Sequence, residues 1–404
     1  MLNIRRFKLK TLQCSNHATQ QYMIKIYIFQ LIYFISEYYC HLYTSRGEQS
    51  MNNLNKDILK ELIKTFENEF PEARIISPRI VQLDKFVYIN DEELDKAEEL
   101  EHDEALDLEN IDITIKEIKP DYSFKPIVAI DTSSAKLGET NKGILAAIRV
   151  AIVVQEENAT SVEKFGPYVV HVTSENKQYL YDYFRQNLLG IKIGNKKIEA
   201  PLLLSKMVDR IRNAIERISQ IITCSIIKNG LVLWDGSLTG GTIDTPKEVI
   251  EKAIHIAHSN GNSIIAISKK SWLRLASGEQ LVGLLDNVPK ACFVDVHDKL
   301  SADTSRFLGR VHVAKFTVDG FSFRVDVSPS NGYTNEDVFS LLVGNSAFYN
   351  GYPEALRLAH IHCYFTPSEV LTLQNYAINK YNLEVTRTFD IRMHLFTPFG
   401  RKSI

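Results

Sequence analysis

The chain alternates between short apolar runs and longer segments in which apolar residues recur at every third or fourth position. The periodic segments predict helices over 202–222 and 245–258, the second with Thr245 as N-cap and Pro246 in its first turn. Three strands followed by helix, strand, helix and strand indicate a mixed α/β sheet flanked by helices. The apolar runs that predict these buried strands are 127–130, 144–154, 166–172, 231–234 and 263–268.

The first 50 residues differ from the rest of the chain. An aromatic and apolar stretch over 22–43 is interrupted by charged residues, and its longest uncharged run, 26–36, is too short to span a bilayer. No small-residue cleavage pattern follows it, which argues against a signal peptide. An amphipathic helical pattern begins at Met51, and the residues before it fit a translated, purine-rich ribosome-binding sequence. We therefore interpret 1–50 as a mis-annotated or disordered extension.

Residues 51–121 form a second segment with its own charge pattern. Helical spacing predicts a helix over 52–70, and 91–110 predicts a charged, solvent-facing helix or helix pair. From 91 to 121 there are 14 acidic and 3 basic side chains, whereas the whole chain has a formal net charge of −2. We interpret this run as a solvated arm, with a mimic or guard of a nucleic-acid groove as the alternative. The remainder, 122–404, is the globular domain.

Composition and motifs narrow the class of protein. Apolar residues make up 45% and charged residues 24% of the 404 positions, which is typical of a globular protein. The 5 cysteines form no C-x-x-C pair, so neither a zinc site nor a disulfide framework is expected, and a reducing cytoplasm suits them. Motifs of P-loop kinases, Rossmann dehydrogenases, zincins and α/β-hydrolases are absent from the sequence.

Two aspartates follow apolar strands. Asp131 comes directly after the run 127–130, and Asp235 comes after the run 231–234. An acid at the carboxyl end of a buried strand lies at the sheet edge, where α/β folds place their sites. Two such carboxylates repel each other unless a cation lies between them, and oxygen ligands favour Mg²⁺ or Mn²⁺. The alternative is that each aspartate only caps the turn after it.

Three further charged side chains are candidates for the same site. Glu216 lies late in the first predicted helix, on the border of its apolar stripe, so that its carboxylate points towards the sheet edge. The alternative is an i,i+4 salt bridge with Arg212. Lys269 and Lys270 follow the last predicted strand and are candidates for contacts with nucleic-acid phosphates. An ordinary solvated pair is the alternative for the lysines.

Tyr352 and His360 bound a predicted helix with Pro353 in its first turn. Eight residues separate them, which is about 80° around a helix axis. Both therefore reach one site from one edge of the helix. A histidine beside carboxylates binds a metal or handles a proton. A packed core histidine and tyrosine are the alternative.

Four motifs together resemble the NurA nucleases of archaea and bacteria. The resemblance covers roughly residues 52–404 and implies an RNase H-like core, with the N-terminal helical arm before it. Thr132 stands where the family often has Gly, and the spacing from Glu216 to Asp235 is loose. The motifs are D-x-S at 131–133, the helical Glu216, L-x-D-G-S-L at 233–238 and Y-P-x-x-L-x-x-A-H at 352–360.

The resemblance implies a DNA nuclease dependent on Mn²⁺ or Mg²⁺, with 5′→3′ exonuclease activity and endonuclease activity on single strands. It also implies a homodimer that docks on the hexameric ATPase HerA and acts in the resection of DNA ends, with no membrane association. By motif position, Asp131 and Asp235 are the principal metal ligands and Glu216 is the third acid. Tyr352 is then a site tyrosine, and His360 is a ligand or proton-handling residue.

Two other functions remain open at this point. An actin-like ATPase would use Asp131-Thr132-Ser133 and Asp235-Gly236-Ser237 as phosphate loops, but it leaves Tyr352 and His360 without a role. A non-catalytic DNA-end-binding or helicase-docking subunit would not need the acids, and their presence counts against it.

Overall fold

The computed structural model describes residues 80–82, 107–108, 114–185, 189, 199–242, 245–269, 271, 274–275, 280–300, 304–381 and 383–386. The chain divides into two compact units, Met1–Lys56 and Asp57–Ile404, and all described residues belong to the second. The extension 1–50 and the predicted helix over 52–70 lie outside the described residues. Of the predicted acidic helix, Asp107 and Leu108 are described, and they form a short strand instead.

Fifteen strands are present in the described part of the chain. The three longest, β4, β5 and β6, form an antiparallel meander, and they are longer than the apolar runs that predict them. The strands are β1 (Ile80–Gln82), β2 (Asp107–Leu108), β3 (Lys116–Glu117), β4 (Ile127–Thr140), β5 (Gly143–Gln155), β6 (Thr160–Thr173), β7 (Leu231–Asp235), β8 (Ser263–Ser268), β9 (Arg274–Leu275), β10 (Cys292–Asp295), β11 (Arg310–Lys315), β12 (Ser322–Ser328), β13 (Phe348–Tyr349), β14 (Tyr352–Pro353) and β15 (Glu384–Thr386).

The centre of the large sheet has the spatial order β6-β5-β4-β7-β8. Strand β5 runs antiparallel to its two neighbours, whereas β4, β7 and β8 are mutually parallel. Counted along the chain, these strands lie in the order third, second, first, fourth and fifth, which is the arrangement of RNase H-like folds. Antiparallel strands β12, β11, β10 and β3 extend the sheet beyond β8. The predicted mixed α/β sheet is confirmed.

Six α-helices flank the sheet among the described residues. The predicted helix over 202–222 is confirmed as α2. The second predicted helix begins one residue later than expected, since Pro246 and not Thr245 occupies the N-cap position, without a side-chain cap. Thr245 precedes this N-cap, and its N–H donates to Thr242 Oγ1 at 2.9 Å. The helices are α1 (Lys177–Tyr183), α2 (Leu204–Ile226), α3 (Lys247–Ser259), α4 (Asn335–Asn345), α5 (Glu354–Cys363) and α6 (Pro367–Tyr381).

Alternation along the central strands separates two buried layers. Because successive strand residues point to opposite faces, one face of β4 and β7 packs against α4 and α5, and the other face packs against α2. Arg217 of α2 lies over the Trp234 ring at 5.9 Å, which identifies the second face. The cluster on the first face includes Ile127, Ala129, Leu231, Leu233, Val338, Phe339, Ala355, Leu356 and Ala359.

No described helix has the length and apolar character that a membrane crossing requires.

Candidate active site

Asp131 and Asp235 occupy neighbouring positions on two parallel strands. The paired register of β4 and β7 ends at Ile130 opposite Trp234, so the two aspartates are the next residues on each strand. Adjacent strands lie about 4.8 Å apart, and the alternation that buries Ala129 and Leu233 on the α5 side places both carboxylates on that side. The sheet therefore brings together two acids that are 104 positions apart in the sequence.

The position of Asp131 within its strand differs from the prediction. The strand was expected to end at residue 130, but β4 continues to Thr140 because β5 pairs with it along its full length. What ends at Ile130 is the parallel pairing with β7. Asp131 thus lies inside a long strand, at the edge of its parallel section. Asp235 is the last residue of β7, as predicted.

His360 of α5 contacts Asp131 directly. Its Nδ1 lies 2.7 Å from Asp131 Oδ2, while the Thr132 N–H donates to Oδ1 at 2.7 Å. Burial on its own raises the pKa of Asp131, but the hydrogen bond and charge of His360, with the charge of Lys269, bring this pKa below its ordinary value. The hydrogen bond that His360 donates to Asp131 in turn raises the pKa of His360 against the effect of burial. The pair is therefore stabilised as carboxylate and imidazolium.

Asp235 is paired with Lys269 instead. Lys269 Nζ lies 2.7 Å from Asp235 Oδ2. Burial raises the pKa of Asp235 above its ordinary value; the Lys269 ammonium opposes this shift and the negative charge of Asp131 reinforces it. The pKa values of the two aspartates are therefore shifted in opposite directions, downward for Asp131 and upward for Asp235, and each aspartate has a different cationic partner. Paired acids with opposite pKa shifts are typical of functional sites.

Tyr352 closes the site beside Asp235. It lies in the hairpin strand β14, opposite Tyr349, and not in the helix that the sequence predicts. Burial and the charges of Asp235 and Asp131 raise its pKa well above the ordinary value. Its buried hydroxyl oxygen makes no hydrogen bond of normal geometry to the described residues. The ring packs against Phe323, with centroids 5.5 Å apart, and lies 5.9 Å from Lys269 Nζ.

The loop after Asp235 is held by side chains that sequence reasoning missed. Ser268 Oγ donates to the Gly236 carbonyl at 2.8 Å, and the Leu238 N–H donates to Asp326 Oδ2 at 3.0 Å. Gly236 has φ 108°, a left-handed conformation that favours glycine. Asp326 lies 88 positions beyond Leu238, and no local signal in the sequence relates the two residues.

The end of α5 is fixed to the sheet next to Asp131. Ser133 Oγ donates to the Cys363 carbonyl at 2.6 Å, and Arg149 Nη1 donates to the Tyr364 carbonyl at 3.2 Å. These contacts hold His360 over the strand. Ligand atoms of Asp131, His360 and Cys363 all lie within 4.8 Å of one another. Sequence reasoning passed over Cys363 because it belongs to no cysteine motif.

The remaining predicted residues lie around this centre. Glu216 is on α2, where its carboxylate is 3.7 Å from Arg212 Nη1 and accepts from Gln220 Nε2 at 3.3 Å. Arg212 Nη1 also donates to the Thr132 carbonyl at 3.2 Å, so Glu216 is linked to β4 through this arginine. Helix α2 covers the sheet face opposite to α5, and the role of Glu216 as third acid stays a prediction. Lys270 lies outside the described residues.

The chain was compared with protein-family models, curated proteins and solved structures. No family model matches the chain, and no curated protein matches it. The chain is similar to the NurA nuclease from Sulfolobus solfataricus, with 14% identity, a TM-score of 0.36 and coverage of 73% of this chain and 95% of that one. It is also similar to NurA bound to dAMP and manganese, with 10% identity, a TM-score of 0.38 and coverage of 83% and 97%.

Endonuclease V from Bacillus subtilis is a further similar structure, with 13% identity, a TM-score of 0.33 and coverage of 74% of this chain and 97% of that one. These identities and TM-scores describe a distant likeness of fold. The chemistry of this chain is therefore argued from the geometry of its own site.

Proposed function

We propose that this protein is a divalent-metal-dependent deoxyribonuclease. The observation that carries the proposal is the placement of Asp131 and Asp235 on one face of adjacent parallel strands, each with a separate cationic partner. Two neighbouring carboxylates in a buried setting repel each other, and a bound cation relieves that repulsion. Phosphodiester hydrolysis is a reaction that uses such a cation.

The donor set fits Mn²⁺ or Mg²⁺. Hard divalent ions prefer carboxylate oxygens, and Asp131 and Asp235 would hold the ion. The site already binds a positive charge, since the Lys269 ammonium forms an ion pair with Asp235. The Tyr352 hydroxyl, buried and without a hydrogen bond of normal geometry, supplies a further polar atom beside the acids. When bound, the ion activates water, orients the phosphate and stabilises the leaving oxygen.

The chain's own residues have separate tasks in this proposal. Lys269 contacts a phosphate of the substrate in this proposal, which its 40% side-chain exposure supports. His360 holds Asp131 in orientation through Nδ1 and handles a proton at the site. Tyr352 remains a neutral hydroxyl at neutral pH, because its pKa is raised, and it can donate a hydrogen bond to a substrate oxygen. Glu216, and His360 as a direct ligand, remain further candidates for metal binding.

The finer assignments follow the resemblance of the sequence motifs to the NurA nucleases. They are 5′→3′ exonuclease and single-strand endonuclease activity, resection of DNA ends, docking on the HerA ATPase, assembly as a homodimer and a cytoplasmic location. We retain them as parts of the proposal, with DNA ends as the substrate.

The test is digestion of end-labelled DNA by the full chain with Mn²⁺, with Mg²⁺ and with EDTA. Asp131→Asn and Asp235→Asn keep the size of each side chain but remove its charge, and each is expected to lower the rate by at least about 100-fold. Asp319→Asn changes an exposed acid in the turn before β12 and serves as the matched control, with a rate close to that of the wild type.

Undiminished digestion by either site variant, or in EDTA, would remove the proposed mechanism. Metal-independent DNA binding without cleavage would favour the non-catalytic end-binding subunit. ATP hydrolysis that depends on both aspartates, without cleavage of DNA, would favour the actin-like ATPase.

A further inference from the structure

Cys363 adds a sulfur donor to the Asp131–His360 pair. It lies three positions after His360 on α5, and residues at this spacing share a helix face. Its thiol donates to the His360 carbonyl at 3.3 Å, which directs the sulfur back along the helix towards the histidine. The thiol is fully buried, and the ligand atoms of all three residues lie within 4.8 Å of one another.

This donor set differs from that of the two aspartates. One carboxylate oxygen, one imidazole nitrogen and one thiolate sulfur are the ligand types of zinc sites, and three protein ligands are the usual number where the fourth position stays open. Thiolate is a soft ligand that contributes little to Mg²⁺ or Mn²⁺ binding. A nuclease centre built on Asp131 and Asp235 therefore has no need of the Cys363 sulfur.

We infer that Asp131, His360 and Cys363 form a binding site for Zn²⁺. Zn²⁺ in this site inhibits the nuclease, because a zinc-bound Asp131 carboxylate no longer binds the catalytic cation together with Asp235. The binding half of this inference stands on the three residues alone. The inhibition half rests on the proposed function.

The geometry permits the site to close with small movements. Zinc–sulfur and zinc–nitrogen distances of about 2.3 and 2.0 Å give ligand atoms that are roughly 3.5 Å apart in a tetrahedral site. The present separations of up to 4.8 Å therefore need side-chain shifts of about 1 Å. Binding releases the thiol proton and the proton between His360 and Asp131 to solvent. The His360 side chain is 37% exposed and provides the access route.

Cobalt titration of the full-length protein tests the binding half. Co²⁺ replaces Zn²⁺ in such sites, and a thiolate ligand gives an intense charge-transfer band in the near ultraviolet. The wild type is expected to show this band, and Cys363→Ser is expected to lose it. Cys292→Ser is the matched control, because Cys292 is an equally buried cysteine on β10. It should keep the band, and the cysteines outside the described residues are present in both variants.

Absence of a Cys363-dependent band in the folded wild type would overturn the inference. Circular dichroism establishes that the variants are folded, and Cys363→Ala provides a second substitution if the serine variant unfolds. A band that survives both substitutions at position 363 would also overturn it, because the sulfur would then belong to another cysteine.

Inhibition of Mn²⁺-dependent DNA cleavage by Zn²⁺ tests the inhibition half of the inference. Each variant is compared with its own zinc-free rate, and Cys363→Ser is expected to need more than about tenfold more Zn²⁺ for half-inhibition than the wild type or Cys292→Ser. Equal sensitivity of all three proteins would refute inhibition through this site. A Cys363-dependent cobalt band in a protein that cleaves no DNA would refute the proposed function and leave the zinc site in place.

Discussion

Lys269 Nζ lies 2.7 Å from Asp235 Oδ2, at the point where β8 ends beside β7. Lys269 is the first residue after β8, and Asp235 is the last residue of β7. Because β7 and β8 pair in parallel, both strands end at the same edge of the sheet, and this brings the two side chains into contact. The ammonium offsets part of the burial and of the Asp131 repulsion that raise the pKa of Asp235. Lys269 therefore favours the ionised form of Asp235 against the effects of burial and of the Asp131 charge.

Replacement of Lys269 by Met should expose this role in the pH dependence of cleavage. Without the ammonium, the pKa of Asp235 rises further, so a higher pH is needed to ionise the carboxylate that we propose as a metal ligand. The acidic limb of the rate profile should therefore move to higher pH, and DNA binding should become less sensitive to salt. Lys252→Met, at an exposed position on α3, is the control. An unchanged acidic limb in the Lys269 variant would separate this lysine from the ionisation of Asp235.

Much of the central sheet could be predicted from the sequence, because its strands are continuous apolar runs and α2 has a regular apolar stripe. The point at which β4 ends could not be predicted. Polar and small residues follow Ile130, and pairing with β5 is what holds them in a strand. The apolar pattern of 127–130 carries no information about the partner strand β5, so the strand predicted from it is shorter than β4.

The candidate site shows the same limit. Asp131, Asp235 and His360 could be singled out from strand ends and motifs, and the structure brings them together. The residues that support them could not be found in this way, since Asp326, Ser268 and Cys363 act through contacts with distant parts of the chain. Tyr352 was assigned to a helix because Pro353 favours a first turn, but its strand pairing with Tyr349 precedes that helix.

The Asp131–His360 pair should make stability depend on pH in the metal-free protein. The raised pKa of His360 contributes stability that is fully present below the ordinary value of 6.5 and is lost as the pH rises through the folded-state pKa. The lowered pKa of Asp131 contributes stability that is present above the ordinary value of 3.8 and is lost as the pH falls through the folded-state pKa. The contribution of the pair is therefore greatest between these two values.

His360→Gln removes the titrating ring and serves as the test of this pH dependence. Urea unfolding in EDTA should show a larger loss of stability for this variant at about pH 5.5 than at about pH 8.5. His255→Gln, on α3 and away from the site, should show no such difference. An equal loss at both pH values would mean that the pair does not carry a charge in the folded protein.

Gly351 sets the hairpin that carries Tyr352. It has φ 84°, and an added Cβ would lie 3.0 Å from both Gly320 Cα and the Phe321 carbonyl oxygen. Gly351→Ala therefore combines backbone strain with a steric clash. Gly332→Ala is a matched control, because Gly332 has φ 90° and no atom within 4 Å of an added Cβ.

Urea unfolding separates the two effects at this hairpin. Gly332→Ala should lower the free energy of unfolding by about 1–2 kcal/mol through backbone strain alone. Gly351→Ala should lower it by a further 1–3 kcal/mol or so, because neighbouring backbone must move. Equal losses for the two variants would show that the close approach to Gly320 contributes nothing to stability.

Mn²⁺ binding to the wild type, to Asp131→Asn, to Asp235→Asn and to the double variant, measured by calorimetry, tests the shared-cation site most directly. Each single substitution should weaken the same binding event by at least about tenfold. The loss of binding free energy in the double variant should be smaller than the sum of the losses in the two single variants, because both residues bind one ion. Full Mn²⁺ affinity in either single variant, or strictly additive losses from two independent binding events, would contradict a cation shared by Asp131 and Asp235.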